Sequence, residues 1–246
     1  YINYIALNQN HPMLSKPGVR QAIKWAIDYK GIATNITPNI YEAHQAFLPK
    51  GFPGALTDLP FQKDVAKAKA LLAEAGVPGG FEITLDYASA PPFPDVAQAI
   101  QANLAEIGIK VTLIAGEQRQ VITKTRARQH QMAMVRWGSD YMDPHSNAET
   151  FNINTDNTDA QKNRTLCWRS NWKNDDFTAR AIEAQKEPDS KRRIALYERL
   201  QLDHQEQSPF VLLGQQVEVA AMRKSTSGLN LALLSDRSKY TDVVKG

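Results

Sequence analysis

Apolar and polar positions alternate along this chain with two different periods, and the order of those periods predicts the fold. Tyr1 to Leu7 is a short run rich in β-branched and aromatic side chains, which predicts a strand. A loop follows and ends at Pro17, a residue suited to a first helical turn. Val19, Ala22, Ile23, Ala26 and Ile27 then recur at helical spacing and form a core-facing stripe. Pro49, Gly51, Pro53, Gly54 and Pro60 break the next stretch into irregular chain. Asp64 to Ala75 is built of strong helix formers, with Gly76 as its C-terminal cap.

The middle of the chain has the clearest pattern. Phe81, Ile83, Leu85 and Tyr87 alternate as a strand with one buried face. Val96, Ile100, Leu104 and Ile107 share one helical face, and Gly108 ends it. Ile109 to Ile114 is a second strand, Glu117 to Gln129 a more polar helix, and Gln131 to Trp137 a third strand. This β-α-β-α-β order predicts right-handed crossovers and parallel strands in one sheet. Ligands of open α/β sheets gather at the carboxyl ends of the strands, which singles out the loops after Tyr87, Ile114 and Trp137. Gly138 to Lys173 has few periodic signals and is expected as a long functional loop. Two helices follow, Asp175 to Lys186 and Ser190 to Gln205, the second stopped by Pro209. Phe210 to Leu213 and Val217 to Met222 read as strands, and the tail from Arg223 is polar and weakly patterned.

Composition narrows the functional classes. With 42% hydrophobic and 22% charged residues in 246, the chain is a globular protein and not a disordered one. A net charge of +3 is too small, and the basic stretch from Arg119 to His130 too helix-like, to suggest nucleic acid as a partner. No apolar run reaches the ~18 residues of a membrane span. A single cysteine, Cys167, excludes an internal disulfide. Phosphate-loop, dinucleotide-binding and nucleophile-elbow signatures are missing; Gly138-Ser139 lacks the elbow's second glycine. The five histidines show no metal-ligand spacing, so no cofactor is expected. Asp140, Asp143 and His145 lie close in sequence. They fit either a divalent-ion site, which would allow a metal-dependent hydrolase, or a polar turn around Pro144. The start at Tyr1, with no charged and apolar leader after it, leads to the expectation of a piece of a longer or processed protein.

The segment Arg136-Trp137-Gly138-Ser139-Asp140-Tyr141-Met142-Asp143-Pro144 resembles the W-G-x-D-Y-x-D-P signature of the family 5 extracellular solute-binding proteins of ABC transporters. Val19-Arg20-Gln21-Ala22 through Asp28, Lys67 through Gly76, Ile100 through Val111 and Lys191 through Tyr197 are similar to further segments of that family, in the same order. The resemblance implies an α/β, periplasmic-binding-protein-like lobe with a parallel or mixed sheet flanked by helices. It implies a two-lobed protein about twice this length, of which residues 1–222 form the C-terminal ligand-binding lobe. Segments near 1–7 and 210–222 would be strands crossing to the other lobe, and 223–246 a tail packed on it.

By the same resemblance the protein is not an enzyme. It captures a small solute, foremost a short peptide, and delivers it to the permease subunits of an importer in the periplasm or outside the cell. Asp140 takes the position that grips a peptide's α-ammonium, Trp137 and Tyr141 offer walls, and Arg136 a partner for a ligand carboxylate. Glu117, Gln118 and Arg119 close the neighbouring strand as further candidates. Asp143-Pro144-His145 also resembles the D-P-H of nickel-complex binders in the family, which keeps a metal chelate as the alternative solute.

Overall fold

The structure, a computed structural model, describes residues 1–234 and 238–246; the part of the expected tail at 235–237 lies outside the described residues. Six strands, β1 (Ile2–Leu7), β2 (Tyr41–Ala43), β3 (Glu82–Ala88), β4 (Lys110–Gly116), β5 (Met132–Trp137) and β6 (Phe210–Gln216), form one sheet of order β2-β6-β1-β5-β3-β4. As the pattern predicts, β3 pairs in parallel with β4 and with β5. The other half is antiparallel: β1 lies between β5 and β6, and β2 covers β6. The sheet is therefore mixed, and β3, β4, β5 and β6 end at one edge while β1 begins there.

Nine helical segments surround it among the described residues: α1 (Pro17–Ala26), α2 (Tyr29–Gly31), α3 (Val65–Glu74), α4 (Phe93–Ala105), α5 (Gln118–Arg126), α6 (Pro144–Asn152), α7 (Leu166–Arg169), α8 (Asp175–Lys186) and α9 (Ser190–Gln207). A π-helical stretch, Ile32–Ile36, continues α2. The ends of these elements follow local chemistry. Asp64, Asn174 and Asp189 accept backbone N–H bonds at the starts of α3, α8 and α9. Gly108 turns the chain from α4 into β4 at a φ of 87°, which a side chain would resist.

The alternation of each strand divides the core. On one face Ile5, Leu7, Ile83, Leu85, Met132 and Met134 pack with α1 and α4. On the other, Ile2, Tyr4, Ala6, Phe210 and Leu212 pack with α6, α8 and α9. There Phe151 meets Tyr4 and Phe210 edge-on, with ring centroids 5.3 and 5.2 Å away. Asp86, opposite in phase to Leu85 and Tyr87, reaches Lys124 of α5 at 2.6 Å. So α4 and α5 cover opposite faces, as right-handed crossovers in this strand order require.

Two expectations are corrected. Gly138 to Lys173 is not a featureless loop, since α6 and α7 lie within it. Val217 to Met222 is not a strand: β6 ends at Gln216, and the next six residues are irregular and exposed, with Val219 at 69%. Their apolar character found no strand to pair with. Further on, β7 (Thr226–Ser227) pairs antiparallel with β8 (Val244–Lys245).

Candidate functional site

The mixed sheet brings distant parts of the chain to one edge. Ile2 pairs with Trp137 on one side and with Gln215 on the other, so Tyr1, the segment after Trp137 and the segment after Gln215 are neighbours. Between them is an open cavity of about 400 Å³ lined by Tyr1, Trp137, Gly138, Ser139, Asp140, Glu218, Leu233 and Leu234. It adjoins a cavity of about 360 Å³ that shares Tyr1, Ser139 and Glu218. Gly138 is needed there, because a Cβ on it would lie 2.6 Å from the Tyr1 ring.

Asp140 stands at the rim and is exposed. Its backbone N–H donates to Ser146 Oγ at 2.9 Å, which ties the loop to α6. Its carboxylate makes no hydrogen bond or ion pair with any described residue. Asp143 has the opposite fate. It caps α6 by accepting from the His145 N–H at 2.8 Å. Arg193 of α9 forks onto it with bonds of 2.8 and 2.6 Å, and those bonds hold its carboxyl below the usual range. His145 is buried, its Nδ1 lies 3.2 Å from the Tyr197 hydroxyl, and burial lowers its proton affinity. The same surroundings push Tyr197 up to about 12, burial being the larger cause. The metal-site reading of Asp140, Asp143 and His145 is corrected on this geometry: two of the three are spent on α6 and α9, and no cluster of three such ligands occurs among the described residues. The turn around Pro144 is the reading that holds.

The other candidates separate. Arg136 and Trp137 face opposite sides of β5, as adjacent strand residues must. Trp137 packs with the α6, α8 and α9 face. The Arg136 guanidinium lies over Tyr1 and Phe93, 5.1 and 5.9 Å from the ring centroids, and donates to Gln118 Oε1 at 3.4 Å. Gln118 and Arg136 line a narrow crevice of about 30 Å³ with Ala88 and Phe93. Glu117 is the N-cap of α5, in a capping box with Gln120, and Arg119 is exposed on the first turn. Tyr141 is exposed at 43%. Glu117, Arg119 and Tyr141 do not line the Asp140 cavity. Sequence reasoning missed Tyr1 and Glu218, which the antiparallel pairing of β1 and β6 brings to this cavity, and Leu233, which the tail brings there; no local motif marks them.

Residues 1–159 match the family model described as bacterial extracellular solute-binding proteins, family 5 Middle. The chain belongs to this family of solute-binding proteins. Di/tripeptide-binding protein 2 of Pseudomonas aeruginosa is 30% identical over 245 residues, covering 96% of this chain and 44% of that protein. The chain thus spans somewhat under half the length of the curated relatives it matches. Among solved structures, HbpA2 from Haemophilus parasuis superposes with a TM-score of 0.84 at 26% identity, over all of this chain and 48% of that one. The ABC transporter-associated periplasmic binding protein DppA from Helicobacter pylori, in complex with peptide STSA, gives 0.75 at 28% identity, over 87% of this chain and 41% of that one. The family binds solutes and is not one of enzymes, and the mixed α/β sheet flanked by helices is the fold of a periplasmic binding protein lobe.

Proposed function

We propose that this chain is one lobe of the substrate-binding component of an ABC importer, and that Asp140 grips the free ammonium end of a short peptide. The observation that carries the reading is the Asp140 carboxylate, left without a partner at the open carboxyl edge of the sheet. An ammonium donating to a carboxylate in a water-poor cleft makes charge-assisted bonds, stronger than neutral ones. Glu218 adds a second carboxylate to the same cavity, and no basic side chain lines it among the described residues. Trp137 supplies an apolar wall with a polar edge. The peptide names of the relatives support the same solute class. Asp143 and His145 are engaged elsewhere, which speaks against a metal chelate, and the reading needs no metal or cofactor.

In this reading residues 1–222 are the ligand-binding lobe. β1 begins and β6 ends side by side at the open edge, and these are the strands that would run on to a second lobe. The 223–246 tail would pack against that lobe; Leu233, Tyr240 and Val244 are exposed by 50%, 69% and 60% and would be covered there. No helix among the described residues is long and apolar enough to cross a membrane, and association with the permease subunits would hold the protein at the membrane from the periplasmic or extracellular side. The test is calorimetry on the intact protein that carries this chain. Asp140→Ala should weaken dipeptide binding at least ~10-fold, the worth of a lost charge-assisted bond. An unchanged dissociation constant removes the role.

A further inference from the structure

The Asp140 carboxylate has no partner of its own, so its place depends on the backbone that carries it. The segment Gly138–Met142 is irregular. Among the described residues its hydrogen bonds are two: the Asp140 N–H donates to Ser146 Oγ at 2.9 Å, and the Tyr141 carbonyl accepts from the Asp143 N–H at 2.9 Å. Both lead to the start of α6, and that start is tied in turn to α9. The Arg193 guanidinium forks onto the Asp143 carboxylate at 2.8 and 2.6 Å and donates to the Tyr197 hydroxyl at 3.4 Å. The same hydroxyl lies 3.2 Å from His145 Nδ1. One guanidinium on α9 thus meets both side chains that anchor the first turn of α6: Asp143 directly, and His145 through Tyr197.

We infer that Arg193 is a positioning residue for the solute site: by clamping the start of α6 to α9 it fixes where Asp140 presents its carboxylate to an ammonium. Arg193 does not line the Asp140 cavity and acts only through Asp143 and the turn before α6. A planar guanidinium forking onto a carboxylate sets orientation as well as distance, which a single point contact does not. A carboxylate already held in place loses less freedom when the ammonium arrives, so the clamp contributes affinity without touching the solute. The inference rests on the peptide reading and adds to it the group that holds the grip in position.

The test is a double-mutant cycle on the intact protein that carries this chain, with Ala-Ala as the ligand and calorimetry as the readout. Arg193→Gln should weaken binding at least ~5-fold when Asp140 is present and less than ~2-fold in the Asp140→Ala background, because misplacing a carboxylate matters only where there is one. A loss of stability alone would weaken both backgrounds alike and leave no such contrast. Arg193→Lys keeps the charge but cannot fork; it should show the same contrast at a smaller size, and it carries the test if Arg193→Gln does not fold. Equal weakening in both backgrounds, or none in either, overturns the inference while Asp140 keeps its role. If Asp140→Ala itself changes nothing, or if Ala-Ala does not bind, the peptide reading falls and this inference with it.

Discussion

Asp140 and Asp143 are three residues apart and do different work because of what each faces. Asp143 meets the first turn of α6 and the Arg193 fork, and Asp140 meets open space at the rim. The difference can be measured as stability. Asp143→Ala removes a helix cap and leaves Arg193 unpaired, and should cost about 1–3 kcal/mol in denaturant unfolding. Asp143→Asn keeps a capping oxygen and loses only the charge of a partly exposed pair, so about 1 kcal/mol or less is expected. The sign of the pH dependence follows from the lowered carboxyl pKa. The unfolded chain takes up the proton first as pH falls, so the stabilisation is complete above the ordinary value near ~3.9 and is lost as pH drops through the lower folded value. Wild type and Asp143→Asn should therefore converge in acid; a gap that persists at low pH would show the charge to be irrelevant.

At the scale of elements, the helices that could be read from sequence are those whose burial is apolar. α4 buries Val96, Ile100 and Leu104 at helical spacing, and α8 begins at an Asn cap and buries Phe177, Ala181 and Ala184. α6 buries Ala148 and Phe151 too, but most of its buried positions are polar: His145, Ser146, Asn147, Thr150 and Asn152. Asn147 Nδ2 donates to the Phe47 carbonyl at 2.5 Å and Asn152 Nδ2 to the Ala148 carbonyl at 2.9 Å, and such polar positions carry no hydrophobic period to detect. The site divides in the same way. Trp137 and Asp140 belong to one local motif, whereas Glu218 is placed by strand pairing alone. α1 shows how elements are tied by polar side chains. Its Lys24 is buried and donates to the Gln205 and Ser208 carbonyls at 2.6 and 2.9 Å, and its Arg20 to the Gln207 carbonyl at 3.2 Å, all at the carboxyl end of α9.

Burial, with the Arg20 charge beside it, lowers the Lys24 pKa to about 7. Between that value and the unfolded ~10.4 the unfolded chain holds a proton the folded chain releases, so stability should rise with pH through this window, by at most about 1.4 kcal/mol per unit. Urea unfolding at pH 7, 8 and 9 tests it: Lys24→Met should flatten the rise, and an equal rise in both proteins would assign it elsewhere. Below pH 6.5 a separate loss is expected, because burial holds His130 near 4 and keeps His204 well below its usual value, so acid protonates the unfolded chain first.

For the whole molecule, the geometry to explain is an edge that is chemically prepared and physically open. A carboxylate-lined cavity opens beside Trp137, yet Asp140 is exposed and the adjoining tail displays Val219 and Leu233 to solvent. An exposed carboxylate meets an ammonium through water, where the attraction between unit charges at 4 Å is only about 1 kcal/mol. The same pair gains several-fold once a second surface excludes water, and a ligand touching two lobes favours the closed state by what the second lobe adds. This chain alone cannot supply that contribution. Its dissociation constant for a dipeptide should accordingly be weaker than ~1 mM, while the intact protein binds in the micromolar range or tighter, a difference of at least about 4 kcal/mol. Calorimetry of the two proteins under one buffer decides between closure and a self-sufficient pocket. Submillimolar binding by the chain alone would mean that the edge described here already forms the whole site, and that closure contributes to delivery but not to affinity.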